Sequence, residues 1–482
     1  MALMQKHTKI VCTIGPASAD PAMLKDMMKA GMNVARLNFS HGDYAGHEKN
    51  IALIRAAAAE VNLPIAIMQD LQGPKIRVGA LPDEGVPLQA GDTIVFTEGA
   101  TSVPKKRFTI TYPELHRDIK VGERILIDDG LLSAKIVQIT GKDIICEMID
   151  SGTLFSNKGV NFPDSTLSIS AMSDKDHEDI AFGVRQEIDW VALSFVRSSK
   201  EIYDLRYLIK AEEDKRGKGD RPHPIKIVAK IEKREAVEHI DEIIEAADGI
   251  MVARGDLGIE MPAEEVPLIQ KEIIDLCLTA AKPVIVATQM LDSMIRNPRP
   301  TRAEVSDIAN AVIDHTDAVM LSGETASGKY PLESVKTMAR VIRRTESSSY
   351  DFRPVKQDVA NRSTGDAISE VASILAREIS AKAILVTSLS GETARIVSRY
   401  RTELPIYTAT QDERILRQMN LSWGVLPFML PHCATVEELI ERSIGELKKF
   451  RAVVKGSKII IVAGEPVGVS GGVNFVEIRD IG

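Results

Sequence analysis

The chain has 482 residues, 44% of them hydrophobic and 27% charged, with a formal net charge of −8. This composition excludes a disordered or fibrous chain, and the length predicts two to four domains of roughly 100–200 residues each. The acidic balance excludes bulk nucleic-acid binding, which needs a basic face, but leaves small phosphorylated ligands open.

The first 70 residues alternate between strand-like and helix-like runs. Thr8–Ile14, Asn33–Asn38 and Pro64–Asp70 read as strands; Pro21–Gly31 and Tyr44–Val61 read as helices, the first ending at Gly31. This βαβαβ order predicts a parallel sheet. From Gly73 to about Ser168 the helical period disappears. Short β-like runs take over, at Thr93–Thr97, Arg124–Ile127, Leu132–Ile139 and Asp143–Ile149, and predict a small all-β insertion. Alternation then resumes, with strands at Trp190–Leu193, Ile225–Ile231, Gly249–Val252, Pro283–Thr288 and Ala318–Leu321, and helices such as Glu264–Ala281 and Arg302–Ile313. Three early and five late strands make eight βα units. The expected fold is therefore an α/β (β/α)8 TIM barrel over 1–72 and 169–345, with an inserted β-barrel lid over 73–168. A third block, 346–482, carries strands at Ala383–Thr387, Pro405–Thr408, Gly424–Pro427, Lys458–Ala463 and Asn474–Ile478. Its helices are Asp366–Ile379, Glu392–Tyr400 and Val436–Phe450, so it predicts a separate doubly wound α/β domain.

Cys12, Cys146, Cys277 and Cys433 are scattered, without a CxxC pair, and read as free buried thiols in a reducing compartment. The N-terminal residues lack the apolar core of a signal peptide, and no stretch approaches the roughly 18 apolar residues of a membrane span. The expectation is a cytoplasmic protein with no membrane partner.

In such a barrel the chemistry sits at the C-terminal strand ends. The fifth strand runs into Lys230-Ile231-Glu232, and strand alternation puts Lys230 and Glu232 on one face. The sixth ends in Ala253-Arg254-Gly255-Asp256-Leu257-Gly258, where two glycines allow a tight turn and close backbone approach to a ligand. Glu232 and Asp256 suit Mg²⁺, which prefers oxygen and keeps waters for substrate phosphates. The seventh strand ends at Thr288. The second presents Arg36, Asn38 and Ser40 at spacing two, followed by His41; the third ends at Asp70, with Lys75 and Arg77 just beyond. Taken singly, each has a plain structural reading: an ion pair for Lys230, a helix cap for Asp256, a turn residue for Thr288, a surface salt bridge for either arginine. Together, five strand ends carrying two anion clamps, a lysine and a divalent-metal pair describe phosphoryl transfer by positioning and charge neutralisation. There is no GxxxxGK[ST] loop, so the chain is not a Walker-type enzyme. Another barrel enzyme acting on the same kind of substrate, a lyase or an aldolase, and a degenerate effector-sensing protein are the competing readings.

Several long segments resemble the pyruvate kinase family. They are Asn33–Gly42 (NVARLNFSHG), Ile225–Val237 (IKIVAKIEKREAV), Met251–Gly258 (MVARGDLG), Asn297–Glu304 (NPRPTRAE) and Asp317–Ala326 (DAVMLSGETA), with Leu126–Gly130 and Asn157–Asn161 in the insertion. The resemblance runs in order over nearly the whole chain. It implies phosphoryl transfer from phosphoenolpyruvate to ADP, giving pyruvate and ATP. It makes Lys230 the residue that stabilises the phosphoryl group in flight, and Glu232 and Asp256 the ligands of Mg²⁺, with Mn²⁺ as a substitute. Ala253, Arg254, Gly255, Asp256 and Thr288 become the binding site for the substrate carboxylate and enolate, with Thr288 close to the protonated carbon. Arg36 and Arg77 become phosphate clamps, Asn38, Arg77, His41 and Lys158 nucleotide contacts, and the insertion a water-excluding lid. Many family members need K⁺ near the equivalents of Asn38, Ser40, Asp70 and a following Thr. Here that Thr is Leu71, and the usual Glu four residues further on is Lys75, so an internal ammonium is expected to replace K⁺. The third block resembles the regulatory domain. Its effector loop would use Thr387, Ser388, Ser390, Gly391 and Thr393, completed by Gly464–Asn474. Glu392 in that loop favours a sugar monophosphate or nucleotide over a bisphosphate. His315, where Gly is common, reads as a local turn difference without chemical meaning. A homotetramer is expected from the resemblance alone.

Overall fold

The computed structural model describes residues 6–98, 101–217, 223–351, 363–388, 390–464 and 473–482. All eight expected barrel strands are present: β1 (Lys9–Thr13), β2 (Val34–Asn38), β3 (Ala66–Asp70), β4 (Trp190–Leu193), β5 (Lys226–Ile231), β6 (Gly249–Ala253), β7 (Val284–Ala287) and β8 (Ala318–Leu321). They are parallel and close into a barrel in sequence order, β1 pairing with both β2 and β8. The strands are short apolar runs buried on both faces, as parallel strands covered by helices must be. Val11, Val34, Met68, Trp190, Val228, Met251, Ile285 and Met320 fill the interior, making the barrel a packed core rather than a pore. Signals in the connecting helices match the reading. Helix Pro21–Ala30 starts on an Asp20 cap with Pro at its first turn and stops at Gly31, whose φ of 129° few other residues adopt.

The insertion leaves the barrel after β3 and has its own core, from Ile76 and Val78 to Val160 and Phe162. It is a six-stranded sheet plus a two-stranded one. The four strands read from sequence are there. Val86–Leu88, Arg107–Thr109, Gly152–Leu154 and Val160–Asn161 were not legible, because runs of two or three residues show no period. Two junctions tie this domain to the barrel. Arg197 donates to the carbonyls of Leu167 and Ile169, and buried Glu260 accepts from lid residue Asn161 (3.0 Å) and from Lys233 (2.5 Å).

The C-terminal sheet comprises β9 (Ala383–Thr387), β10 (Ile406–Thr410), β11 (Val425–Met429), β12 (Lys458–Gly464) and β13 (Val473–Asp480), in the order β11-β10-β9-β12-β13. The strands are parallel except β13, which runs antiparallel to β12 at the edge. This domain seals the N-terminal end of the barrel. Leu421 inserts among the interior side chains, Arg417 pairs with Asp189 (2.8 Å), Arg401 with Asp317 (2.7 Å), and Lys9 donates to the Val425 carbonyl (2.7 Å). The turn at His315, φ 68°, anchors one domain on the other through its backbone: its carbonyl accepts from Arg401 Nη2 (2.8 Å), a contact that glycine there would offer as well.

Candidate active site

The opposite barrel end gathers the predicted side chains. Lys230, near the end of β5, lies 2.8 Å from Glu232 Oε1 and 3.2 Å from Asp70 Oδ1, as the shared strand face requires. Glu232 and Asp70 are each 1% exposed. Burial alone would lower the pKa of Lys230. The two carboxylates outweigh it and hold the ammonium above the ordinary lysine range. Glu232 is pushed up, by burial first and then by Asp256, against the opposing effect of Lys230. Asp70 is held below the usual carboxylate range despite its burial, by Lys230 and Arg36. Arg36 donates to Asp70 Oδ2 (2.6 Å) and Thr13 Oγ1 (2.8 Å), so its guanidinium is fixed at the barrel mouth. Asp70 Oδ1 is buried, and the charge that faces it is the Lys230 ammonium at 3.2 Å.

Asp256 does not sit in a tight glycine turn. Residues Arg254–Glu260 form a helix, and neither Gly255 nor Gly258 has a positive φ. The helix is held from β7: Thr288 Oγ1 accepts from the Gly255 amide (2.8 Å), while the Arg254 guanidinium turns to Asp307 (2.7 Å) and the Thr288 carbonyl (2.8 Å). The Arg254 side chain thus braces the helix against β7 and Asp307. Thr288 lies one residue past β7 rather than on it, at φ 72°, followed by Gln289 at φ 57°. Two successive non-glycine residues in the left-handed region store strain of order 1–3 kcal/mol each, held by the Arg254 and Gly255 contacts.

Lys75 points into this end of the barrel, 3.6 Å from Asp256 Oδ1, and so pairs with the metal-type carboxylate rather than with Asp70. A side chain at Gly159 would meet its Cε at 3.0 Å, so that glycine gives Lys75 its path across the root of the lid. Arg77 and Lys158 are carried by the lid. Arg77 donates to the Asn157 carbonyl (2.9 Å), and Lys158 pairs with Asp128 (2.8 Å). The loop after β2 folds on itself. The Ser40 amide donates to Asn38 Oδ1 (3.1 Å), and the His41 carbonyl is 3.0 Å from His47 Nε2. Sequence reading passed over the end of β4. Ser194 there is 2% exposed, accepts from Lys230 (2.8 Å) and donates to the Leu71 carbonyl (2.6 Å), and the neighbouring Phe195 amide donates to Glu232 Oε2 (2.7 Å). The only signal was position: a hydroxyl at a strand end where four neighbouring ends already carried chemistry.

Among the described residues no cluster of three or more His, Cys, Asp or Glu side chains could hold a metal. Glu232 and Asp256 fit a hard cation that takes few protein oxygens and completes its shell with water and substrate. Their mutual repulsion is what such an ion would relieve. In the C-terminal domain, Thr387, Ser388 and Thr393 are buried, and Ser388 Oγ accepts from the Gly391 amide (3.0 Å). Gly391 has φ 78°. Glu392 pairs with Arg395 (3.7 Å). Residues 465–472 of the second expected effector loop lie outside the described residues.

A barrel whose strand ends concentrate fixed cations and paired carboxylates, under an inserted β domain, is the architecture of an enzyme that moves a phosphoryl group. Comparison with known proteins agrees. The family model "Pyruvate kinase, barrel domain" matches residues 5–335, and "Pyruvate kinase, alpha/beta domain" matches residues 366–479. A pyruvate kinase of Geobacillus stearothermophilus is 44% identical over 99% of this chain and 81% of its own length. One of Clostridium perfringens is 43% identical over 99% of this chain and all of its own. The crystal structure of a pyruvate kinase from Cryptosporidium parvum superposes with a TM-score of 0.90 at 35% identity, covering 99% of this chain and 97% of that one. The chain belongs to the pyruvate kinase family and is a phosphotransferase.

Proposed function

We propose that this enzyme transfers the phosphoryl group of phosphoenolpyruvate to ADP, with Mg²⁺ as cofactor, Mn²⁺ as a substitute, and no need for K⁺. The observation that carries the reading is the Lys230 ammonium, buried among Asp70, Glu232 and Ser194 beside the fixed Arg36 guanidinium. Arg36 and Lys230 bracket the phosphoryl group and stay charged throughout transfer. The backbone of Ala253–Asp256 and the Thr288 hydroxyl orient the carboxylate and enolate. Glu232 and Asp256 would hold the divalent ion, which when bound supplies charge neutralisation at the transferring oxygens. Asn38, His41, Arg77 and Lys158 bind the nucleotide, and closure of the lid keeps water from the phosphoryl donor. The absence of a K⁺ requirement is supported by Leu71 in place of a hydroxyl side chain and by Lys75, whose ammonium enters the site.

Regulation by a phosphorylated metabolite is part of the same reading, supported by the hydroxyls of Thr387, Ser388, Ser390 and Thr393, with Glu392 favouring a sugar monophosphate or nucleotide. So is a cytoplasmic homotetramer. Exposed Val371 (46%) and Ile374 (44%) support it as apolar surface on one helix of the C-terminal domain. The test is a coupled assay for pyruvate from phosphoenolpyruvate, with and without ADP. Pyruvate that appears only with ADP supports the proposal. Pyruvate without ADP, or none at all, overturns it in favour of a lyase or a non-catalytic protein. Effector titration at subsaturating phosphoenolpyruvate, with no shift for any phosphorylated metabolite, would remove the regulatory part.

A further inference from the structure

Lys230 has three N–H donors and no freedom to waste them. One goes to Ser194 Oγ at 2.8 Å and one faces Glu232 Oε1 at 2.8 Å. The ammonium also lies 3.2 Å from Asp70 Oδ1. The oxygens around it set its place, and Ser194 Oγ is the neutral acceptor among them.

Ser194 is suited to be one of those acceptors. A serine hydroxyl can turn its proton toward any neighbour, and then it is an indifferent partner for a cation. Here its proton is committed to the Leu71 carbonyl at 2.6 Å, which leaves only lone pairs for Lys230. Leu71 is itself pinned, its amide donating to the Ala192 carbonyl (3.0 Å). The oxygen cannot drift either. Ser194 is 2% exposed, and a Cβ placed on Gly73 would stand 3.0 Å from its own Cβ. Three strand ends thus converge on one ammonium: β3 supplies the Leu71 carbonyl, β4 the hydroxyl, β5 the lysine.

We infer that Ser194 is a positioning residue for phosphoryl transfer, holding the Lys230 ammonium where it meets the phosphoryl group in the transition state. This rests on the reading of Lys230 as the residue that stabilises that group. Losing an interaction felt only when the group is in flight lowers kcat without changing ground-state binding.

The experiment compares Ser194→Ala, which removes the acceptor, with Ser194→Cys, which keeps the volume but offers a poor acceptor. Both are assayed by steady-state pyruvate formation and thermal melting. The expected result is a fall in kcat of about tenfold or more in both variants, with KM for phosphoenolpyruvate and for ADP within about threefold of the parent and little change in melting temperature. A fall in kcat clearly smaller than about tenfold in either variant overturns the inference. So does a rise in KM at unchanged kcat, or a loss in the alanine variant that the cysteine variant recovers, which would mark a packing role. If the unmodified enzyme makes no pyruvate, it is the proposed function that fails, and the parent assay alone shows this.

Discussion

Lys230 illustrates how a single residue becomes chemical through its neighbours. An isolated buried ammonium would lose its proton; two carboxylates at 2.8 and 3.2 Å keep it charged. Lys230→Met is expected to lower kcat by at least about a hundredfold while leaving phosphoenolpyruvate binding measurable. Because Glu232 and Asp70 lose a buried counter-charge, the variant is also expected to lose about 3–5 kcal/mol of stability, read from chemical denaturation. Lys75 makes a separate prediction. An ammonium at about 4 Å with an effective dielectric constant near 20 is worth about 4 kcal/mol. Assays in tetramethylammonium buffer should show full activity without K⁺ for the parent enzyme, and loss of activity or a new K⁺ requirement for Lys75→Glu. Strict K⁺ dependence of the parent would refute the assignment. Lys230, Glu232, Asp256 and Arg36 were legible in sequence because they put charge at several strand ends of one barrel at once, although each alone has a structural reading. Ser194 was not, since a serine beside an apolar strand reads like any turn residue until barrel closure sets it against a lysine 36 positions away.

At the scale of elements, the helix Arg254–Glu260 carries Asp256, and its position depends on Thr288. The hydroxyl of Thr288 accepts the Gly255 amide, an acceptor comparable to a helix cap. Thr288→Ala is expected to destabilise the protein by about 1 kcal/mol and to lower kcat. Thr288→Ser keeps the acceptor and removes a β-branch from a residue at φ 72°, so it should melt at or above the parent temperature. Differential scanning fluorimetry of the two variants separates the cap from the chemistry. The barrel strands were legible because buried parallel strands are continuous apolar runs. Helix and strand ends were less so. The expected strand end at Thr288 and the expected turn at Ala253–Gly258 both gave way to contacts between β6 and β7 that no local pattern encodes.

At the scale of the whole molecule, the C-terminal domain closes the barrel end remote from the chemistry, and this junction is where acid should act. His7 packs against Trp423, with ring centroids 4.4 Å apart and the ring planes tilted by 48°. Burial first, then Lys9, Arg401 and Lys6, lower its pKa to about 4. In the unfolded chain the value is about 6.5. Above pH 6.5 both states hold a neutral imidazole and there is no penalty. Between 6.5 and 4 only the unfolded chain takes up the proton, so stability falls with falling pH, by about 3 kcal/mol in total. Denaturation midpoints across pH 4–7 should show this loss, and His7→Phe should flatten it; an unchanged slope in that variant would exclude His7 as its source.

By itself the sequence determined eight alternating βα units, an inserted β domain, a third α/β domain and the charged strand ends, since periodicity and the cost of burying charge are local properties. Only the tertiary structure decided that β13 runs antiparallel, that His315 anchors Arg401, that Lys75 meets Asp256 and that Ser194 holds Lys230. An apolar run carries no strand direction, and a side chain's partner is chosen by barrel closure and domain packing across tens to hundreds of residues.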